Sequence, residues 1–577
     1  MRPRILTLAA LFALAASRLL AGTTADAAFE RIAHDFIESY LRQNPENATE
    51  IGDHRYDGQL TDYSAAGRDA AAATLRGTLA ALATVDAAQL TGPNRVDAQI
   101  LRQHVEYELF TLEQLRPFAN NPRLYQSSFA DSIYELSARG QAPADVRLRA
   151  IAQRLAAMPR VIAEAKANLE HPARVHTETA IDQTAGAIQL IRDDLESLLQ
   201  QAPTLRAEVA PVQARAVAAL TEYQAWLKQD LLPRSTGDFR LGEKLFRQKL
   251  KYALGSDLSP ETIMARAEQE KASVTDQLYA TARLLYLQYF PQAAAADVAD
   301  RPRVIKAVLD HLAERSLTDD TIVNRAKDSL ARATAFVRQH ELVTVPDTPV
   351  QVIVVPEFAR GVAVAYCQSP GALEPKGETF FAISPTPTDW PAARKHSFYR
   401  EYNEYMLQDL TVHEAMPGHY LQIAHANQFR APTLVRALFR SGSFIEGWAV
   451  YGERVMADTG FGGPEVRMQQ LKMRLRAIIN AILDQRIHMG TMTEKEAIAL
   501  MMKEGFQEEG EAVGKWKRAI LTSTQLSTYF VGAIEHDDLR AAAEKRDGAK
   551  FNLKQYHDTV LSYGNANVKY VRQEMGL

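Results

Sequence analysis

Apolar positions recur at helical spacing over most of the chain. Phe29, Ile32, Ala33 and Phe36 fall on one helix face, as do Leu101, Val105, Leu109 and Leu112. From residue 28 to about residue 257 this pattern predicts successive amphipathic helices, broken at Asn44-Pro45-Glu46-Asn47 and at residues 58–63. Ser259-Pro260-Glu261 reads as a helix start with Pro just inside it, and helices continue through Tyr289 and from about Thr318 to His340. The period then changes. Residues 350–355, 362–366 and 379–383 are short, β-rich and separated by Pro and Gly, which predicts a small sheet within about 344–383. Helical spacing returns afterwards, with Leu471, Leu475, Ile478, Ile479 and Ile482 as a buried stripe. The expected fold is mainly α, a large single multi-helical body carrying one small sheet.

Composition refines this picture at three points. No Gly/Ser/Pro-rich linker, repeat or low-complexity block divides the 577 residues, so residues 28–577 are expected to form one domain. One cysteine, Cys367, excludes an intramolecular disulfide and is most simply a small buried side chain, leaving stability to a core drawn from the 46% of residues that are hydrophobic. A formal net charge of −4 argues against a nucleic-acid partner. Residues 1–27 read as a signal peptide: Arg2 and Arg4, a short apolar run from Ile5 to Ala16, and Ala25-Asp26-Ala27 as a small-residue cleavage site. The run is too brief to span a bilayer stably, so no membrane span is expected after cleavage and the product is expected to be periplasmic or secreted. Leu19-Leu20-Ala21-Gly22 is close to a lipoprotein signal, but Thr23 stands where the acylated cysteine is needed.

Chemistry concentrates in Leu410-Thr-Val-His413-Glu414-Ala-Met-Pro417-Gly418-His419-Tyr-Leu-Gln422. Zinc takes neutral imidazoles and a carboxylate and keeps one position open for water, whose proton a further carboxylate removes. In His-Glu-x-x-His the ligands at i and i+4 share a helix face. Here the second imidazole comes at i+6, which on a regular helix leaves the two roughly 120° apart and about 9 Å along the axis. Pro417 opposes a regular helix at that point and Gly418 widens the backbone choices. The pair can loop out and return His419 to the ligand position, or it can end the helix and leave His419 a polar loop residue. Glu446, in Ser443-Phe-Ile-Glu446-Gly-Trp448-Ala-Val-Tyr451-Gly-Glu453, is the candidate third ligand; Glu453 would share its face and orient a ligand imidazole. The neighbours Phe444, Ile445, Trp448 and Tyr451 are too apolar for an ordinary solvated helix.

These two motifs resemble the signature of domain-of-unknown-function family 885, large helical proteins regarded as metallopeptidases. Ala48-Thr-Glu-Ile-Gly52-Asp53-His54-Arg-Tyr56-Asp57, Asp484-Gln-Arg-Ile-His488 and Gln525-Leu-Ser-Thr-Tyr529-Phe-Val-Gly532 extend the resemblance over nearly the whole chain. In layout, though not in ligand spacing, the family is similar to helical gluzincins, and the resemblance implies a zincin-like body. In gluzincins a tyrosine from the C-terminal region stabilises the oxyanion, which implies that role for Tyr529, a core aromatic being the plainer alternative.

Other positions carry weaker expectations. Gln525, one turn before Tyr529, could bind substrate backbone. Asp484 and His488, at i and i+4, could stabilise a tetrahedral intermediate with Arg486 nearby for a substrate carboxylate, or form a helix-end ion pair. The Gly52–Asp57 patch is expected to be a structural knot capping helices, or else a second polar cluster on the cleft. The small sheet could offer an edge strand to an extended peptide, or act as a structural flap. His536 and His557 receive no role. The reading is an exported zinc-dependent peptidase of short peptides, with Zn²⁺ on His413, His419 and Glu446, Glu414 as general base and Tyr529 at the oxyanion. An inactive peptide-binding protein of zincin-like fold and a metal-dependent hydrolase of non-peptide amides or esters are the alternatives.

Overall fold

The computed structural model describes residues 23–138, 142–347, 350–355, 360, 363–374 and 378–577. The first helix, α1 (Thr24–Gln43), starts at a capping box in which Thr23 and Asp26 bind each other's backbone N–H, and it buries Phe29, Ala33, Phe36, Ile37 and Leu41. Buried Asp26 also accepts from the Thr91 N–H and hydroxyl. Ala25-Asp26-Ala27, read from the sequence as a cleavage site, lies in α1, where Asp26 caps the helix and ties it to the next helices. Residues 1–22, the rest of the expected leader, lie outside the described residues.

The break at Asn44 is a change of direction between α1 and α2 (Pro45–Ile51), whose Gly52 cap takes φ 93°, a left-handed conformation suited to glycine. Next come α3 (Ala65–Ala83) and α4 (Gly92–Phe110). The helices α5 (Ala144–Asn168), α6 (Arg174–Gln189) and α7 (Arg206–Trp226) form a lobe with its own apolar cluster, including Leu155, Ile162, Ile191 and Leu220.

A second cluster gathers α8 (Gly242–Leu254), α9 (Pro260–Tyr289) and α10 (Arg301–Ala313). The Ser259 hydroxyl caps α9 where the sequence placed its start. After α11 (Ile322–Gln339) come β1 (Gln351–Val354), β2 (Ala365–Gln368) and β3 (Phe380–Ile383). Their order is β1-β3-β2, with β1 parallel and β2 antiparallel to β3, so β2 is an edge strand. The second expected strand, 362–366, is shifted by about three residues toward the C-terminus, and position 362 lies outside the described residues.

The C-terminal half is helical again: α12 (Ala392–Glu401), α13 (Glu404–Glu414), α14 (His419–Ala426), α15 (Gly442–Asp458), α16 (Gly463–His488), α17 (Glu494–Lys503), α18 (Glu509–Leu521), α19 (Ser527–Asp547), α20 (Leu553–Ser562) and α21 (Val568–Glu574). The Leu471–Ile482 stripe understates α16, which is buried on nearly every side and runs through the molecule, its apolar residues joining two clusters. Where α15 crosses α19, Gly447 and Gly532 face each other with no room for a Cβ on either. The largest cluster joins the two ends of the chain, from Phe29 and Leu101 to Leu561 and Val571. Buried Arg436 fastens them: its guanidinium pairs with Asp97 of α4, and it also reaches the Tyr563 carbonyl and Glu574.

No helix among the described residues is long and apolar enough to cross a membrane.

Candidate metal centre

The helix α13 begins at Asn403, whose side chain accepts from the N–H groups of Tyr405 and Met406, and it ends at Glu414. There the Ala415 and Met416 N–H groups both fold back on the Thr411 carbonyl. The chain then loops through a cis Met416–Pro417 bond, and α14 opens at His419. Gly418 lies so close to the carbonyl of His413 that a side chain there would collide with it, and its N–H bonds Val412 O at 2.9 Å. The Trp448 indole N–H holds the Pro417 carbonyl at 2.8 Å. Pro417-Gly418 is therefore an excursion between two helices, and it brings His419 back beside His413: the ring centroids are 4.7 Å apart and nearly perpendicular.

Glu446 arrives from α15. Its Oε2 lies 3.5 Å from Nε2 of both His413 and His419. Three ligand atoms, one from each residue, fall within 4.8 Å of one another. A distance of 3.5 Å is long for a hydrogen bond but close to the roughly 3.4 Å that separates two ligands of a tetrahedral ion with bonds of about 2.1 Å. Glu446 Oε2 and His419 Nδ1 are buried with no hydrogen-bond partner, which in a packed interior asks for a ligand or water. The donor set fits a divalent ion. Burial opposes the Glu446 carboxylate, but the two imidazoles outweigh it and hold its pKa far below the usual range.

Around this trio the neighbours match the expected roles unevenly. Glu453, two turns after Glu446, bonds His413 Nδ1 at 2.6 Å and is 2% exposed, so it fixes which ring nitrogen faces Glu446. Burial works against the His413 imidazolium, and Glu446 and Glu453 reverse that effect, placing its pKa well above the ordinary value. Asp409, one turn before His413, was missed by the sequence reading although its i−4 spacing was a signal. It is buried, and burial together with the Glu453 charge pushes its carboxyl well up, so it favours the protonated form. Glu414 accepts the Cys367 N–H at 3.1 Å, which joins the expected base to the edge strand β2. Burial raises its pKa against the pull of His419 and His413.

At the start of α19 the Tyr529 hydroxyl accepts from Arg518 at 3.0 Å and from Gln525 at 3.2 Å. Both lone pairs are engaged, so its own O–H remains a donor. Tyr529 stands one turn before Gly532, which packs on Ser443 and Gly447 beside Glu446. Gln525 is held by Arg518 at 2.8 Å.

Asp484 and His488, expected either at a tetrahedral intermediate or as a helix-end ion pair, are buried side by side, His488 Nε2 4.0 Å from Asp484 Oδ1. Asp484 is sealed in the core and accepts from the Thr524 N–H and from the Ser527 N–H and hydroxyl, shaping the turn that leads into α19. His488 bonds the Ala519 carbonyl and stacks on Phe246. Arg486 is exposed and away from this buried pair. Together the bonds of Asp484 and His488 tie the end of α16 to α18 and to the turn that opens α19.

The 52–57 patch is the expected knot. Asp53 caps the turn His54–Tyr56, and Thr49 links Asp57 to buried Arg154. His54 bonds Asp57 and Glu374, both at 2.9 Å, while Leu373 N–H reaches Ile51 O at 2.8 Å. The knot thus also fastens the segment that follows β2. His536 and His557 are buried packing residues against Phe444 and Tyr451.

Comparison with known proteins completes this description. The family model described as "Bacterial protein of unknown function (DUF885)" matches residues 45–575. A "putative lipoprotein of unknown function" from Shewanella oneidensis is 32% identical, with a TM-score of 0.82 over 95% of this chain and 100% of that one. A "putative lipoprotein" from Colwellia psychrerythraea shares the fold at 18% identity, with a TM-score of 0.76 over 96% of this chain and 98% of that one. No curated protein matches the chain. On a match that runs from α2 to the last helix, the chain belongs to the DUF885 family of bacterial proteins.

Proposed function

We propose that this protein is an exported zinc-dependent peptidase acting on short peptides. The observation that carries the reading is the convergence of His413, His419 and Glu446 on one point, with Glu414 beside them and bonded to an edge strand. Two histidines and a glutamate are the ligand set of a catalytic rather than a structural zinc site. Zinc held there would supply Lewis acidity and acidify water. The residues of the chain do the rest. Glu414, whose pKa burial has raised, takes the proton of the attacking water and delivers it to the leaving amine. Glu453 keeps His413 oriented, with Asp409 behind it. Tyr529 donates its free O–H to the oxyanion. The strand β2 gives an extended peptide a main-chain partner, which favours a peptide over a small ester or amide. Export is supported by the leader-like residues 1–27 and by the 32% identical solved relative, described as a "putative lipoprotein of unknown function".

Elemental analysis of the purified protein beside His413→Ala tests the reading. About one zinc per chain, lost in the variant, is the expected result. No stoichiometric metal even after incubation with zinc would overturn the hydrolytic mechanism and leave a peptide-binding protein.

A further inference from the structure

Lys515 is a buried cation without a counter-charge. It sits on α18, 6% exposed, and among the described residues makes no hydrogen bond or ion pair. Arg518 follows it by one turn on the same helix, and the charges of Arg476 and Arg518 both act on it. Arg476 is answered by Glu511 and Glu401. Among the described residues Arg518 is answered by neutral groups, the Gln525 carbonyl oxygen and the Tyr529 hydroxyl. Lys515, buried, and Arg518, exposed, therefore lie one turn apart on α18, and neither has a carboxylate partner among the described residues. Burying an ammonium with no partner is unfavourable, and burial followed by the two guanidinium charges holds its pKa well below the ordinary lysine value. Such an arrangement persists where a ligand completes it. Gln525 and Tyr529 engage one terminal nitrogen of Arg518, which orients the planar fork and leaves its other N–H groups for a planar anion.

We infer that Lys515 and Arg518 form a binding site for the C-terminal carboxylate of a peptide substrate. The inference rests on the peptidase reading and narrows it. Arg518 bonds the same hydroxyl assigned to the oxyanion, so a carboxylate on the fork lies within a residue or two of a carbonyl facing Tyr529, at about 3.3 Å per extended residue. The enzyme then releases one or two residues from a free C-terminus.

Calorimetric titration of the full chain with acetyl-dialanine and with its C-terminal amide tests the site by binding alone. The acid should bind at least tenfold more tightly than the amide, and Lys515→Met should reduce that preference to threefold or less. Lys515→Met removes an unpaired buried charge and should fold; the surface variant Arg518→Gln gives an independent check and should lose the preference in the same direction. Equal binding of acid and amide, no binding of either, or a preference that survives both substitutions overturns the site. Displacement of the acid by inorganic phosphate at equal affinity overturns the assignment to a carboxylate. Failure of the peptidase reading would appear separately, as absent cleavage products with the acid preference intact.

Discussion

At the scale of single residues, the proposed function separates groups that would hold a metal from groups that would move a proton. Among the described residues Glu414 makes no contact with Glu446 comparable to those of the two histidines, and it accepts the backbone N–H of Cys367. Glu414→Gln should therefore retain zinc while lowering turnover by roughly 10²- to 10⁴-fold, as loss of a positioned base predicts; metal content and peptide cleavage measured on one sample check both halves. Glu453 acts through His413, and Glu453→Gln should weaken zinc binding about 10- to 100-fold, read by competition with a chelator. His413, Glu414 and Glu446 were legible in the sequence because their types and order carry chemistry. Asp409 was not, since an aspartate one turn before a histidine acquires meaning only once Glu453 faces it. Asp484 and His488 looked like site residues for the opposite reason: their spacing is that of a site, and only the turn at Thr524–Ser527 reveals that their hydrogen bonds go to backbone.

At the scale of elements, the fold was legible wherever the period was regular. The start of α9 and the three strands fall close to where the hydrophobic pattern put them. The i+6 spacing could not be resolved from spacing alone, because an excursion and a helix cap begin alike. The carbonyl contact at Gly418 and the Trp448 bond to Pro417 decide it. The α15–α19 crossing depends on the same economy of space. Gly532 meets Ser443 and Gly447 with no gap, so Gly532→Val must push apart the helices carrying Glu446 and Tyr529. Overpacking of this kind costs about 1–3 kcal/mol or more. A lowered midpoint in thermal unfolding is expected, whereas a midpoint equal to that of the parent would refute the tight crossing.

At the scale of the whole molecule, His54 joins segments 320 residues apart in sequence. Its bond to Asp57, and then that to Glu374, outweigh burial and raise its pKa from 6.5 to about 9. A raised value means that the folded state binds the proton more tightly. The contribution is therefore complete below about pH 6.5 and fades as pH rises through about 9. With the ring 39% exposed, solvent screening keeps it under about 1 kcal/mol. His54→Gln should lower the unfolding midpoint slightly at pH 6 and leave it unchanged at pH 10; equal loss at both would remove the ionic clasp.

The junction at Arg436 has a consequence for how the polypeptide is made. Asp97 emerges from the ribosome early and its partner Arg436 comes 339 residues later, followed by the Tyr563 carbonyl and Glu574 that also bind Arg436. At ribosomal speeds the complete chain takes roughly half a minute to two minutes to synthesise. During that interval the early helices pack on one another through Asp26 and Thr91, and the α5–α7 lobe gathers its own apolar cluster, so the seam between the two ends of the chain is the part that has to wait.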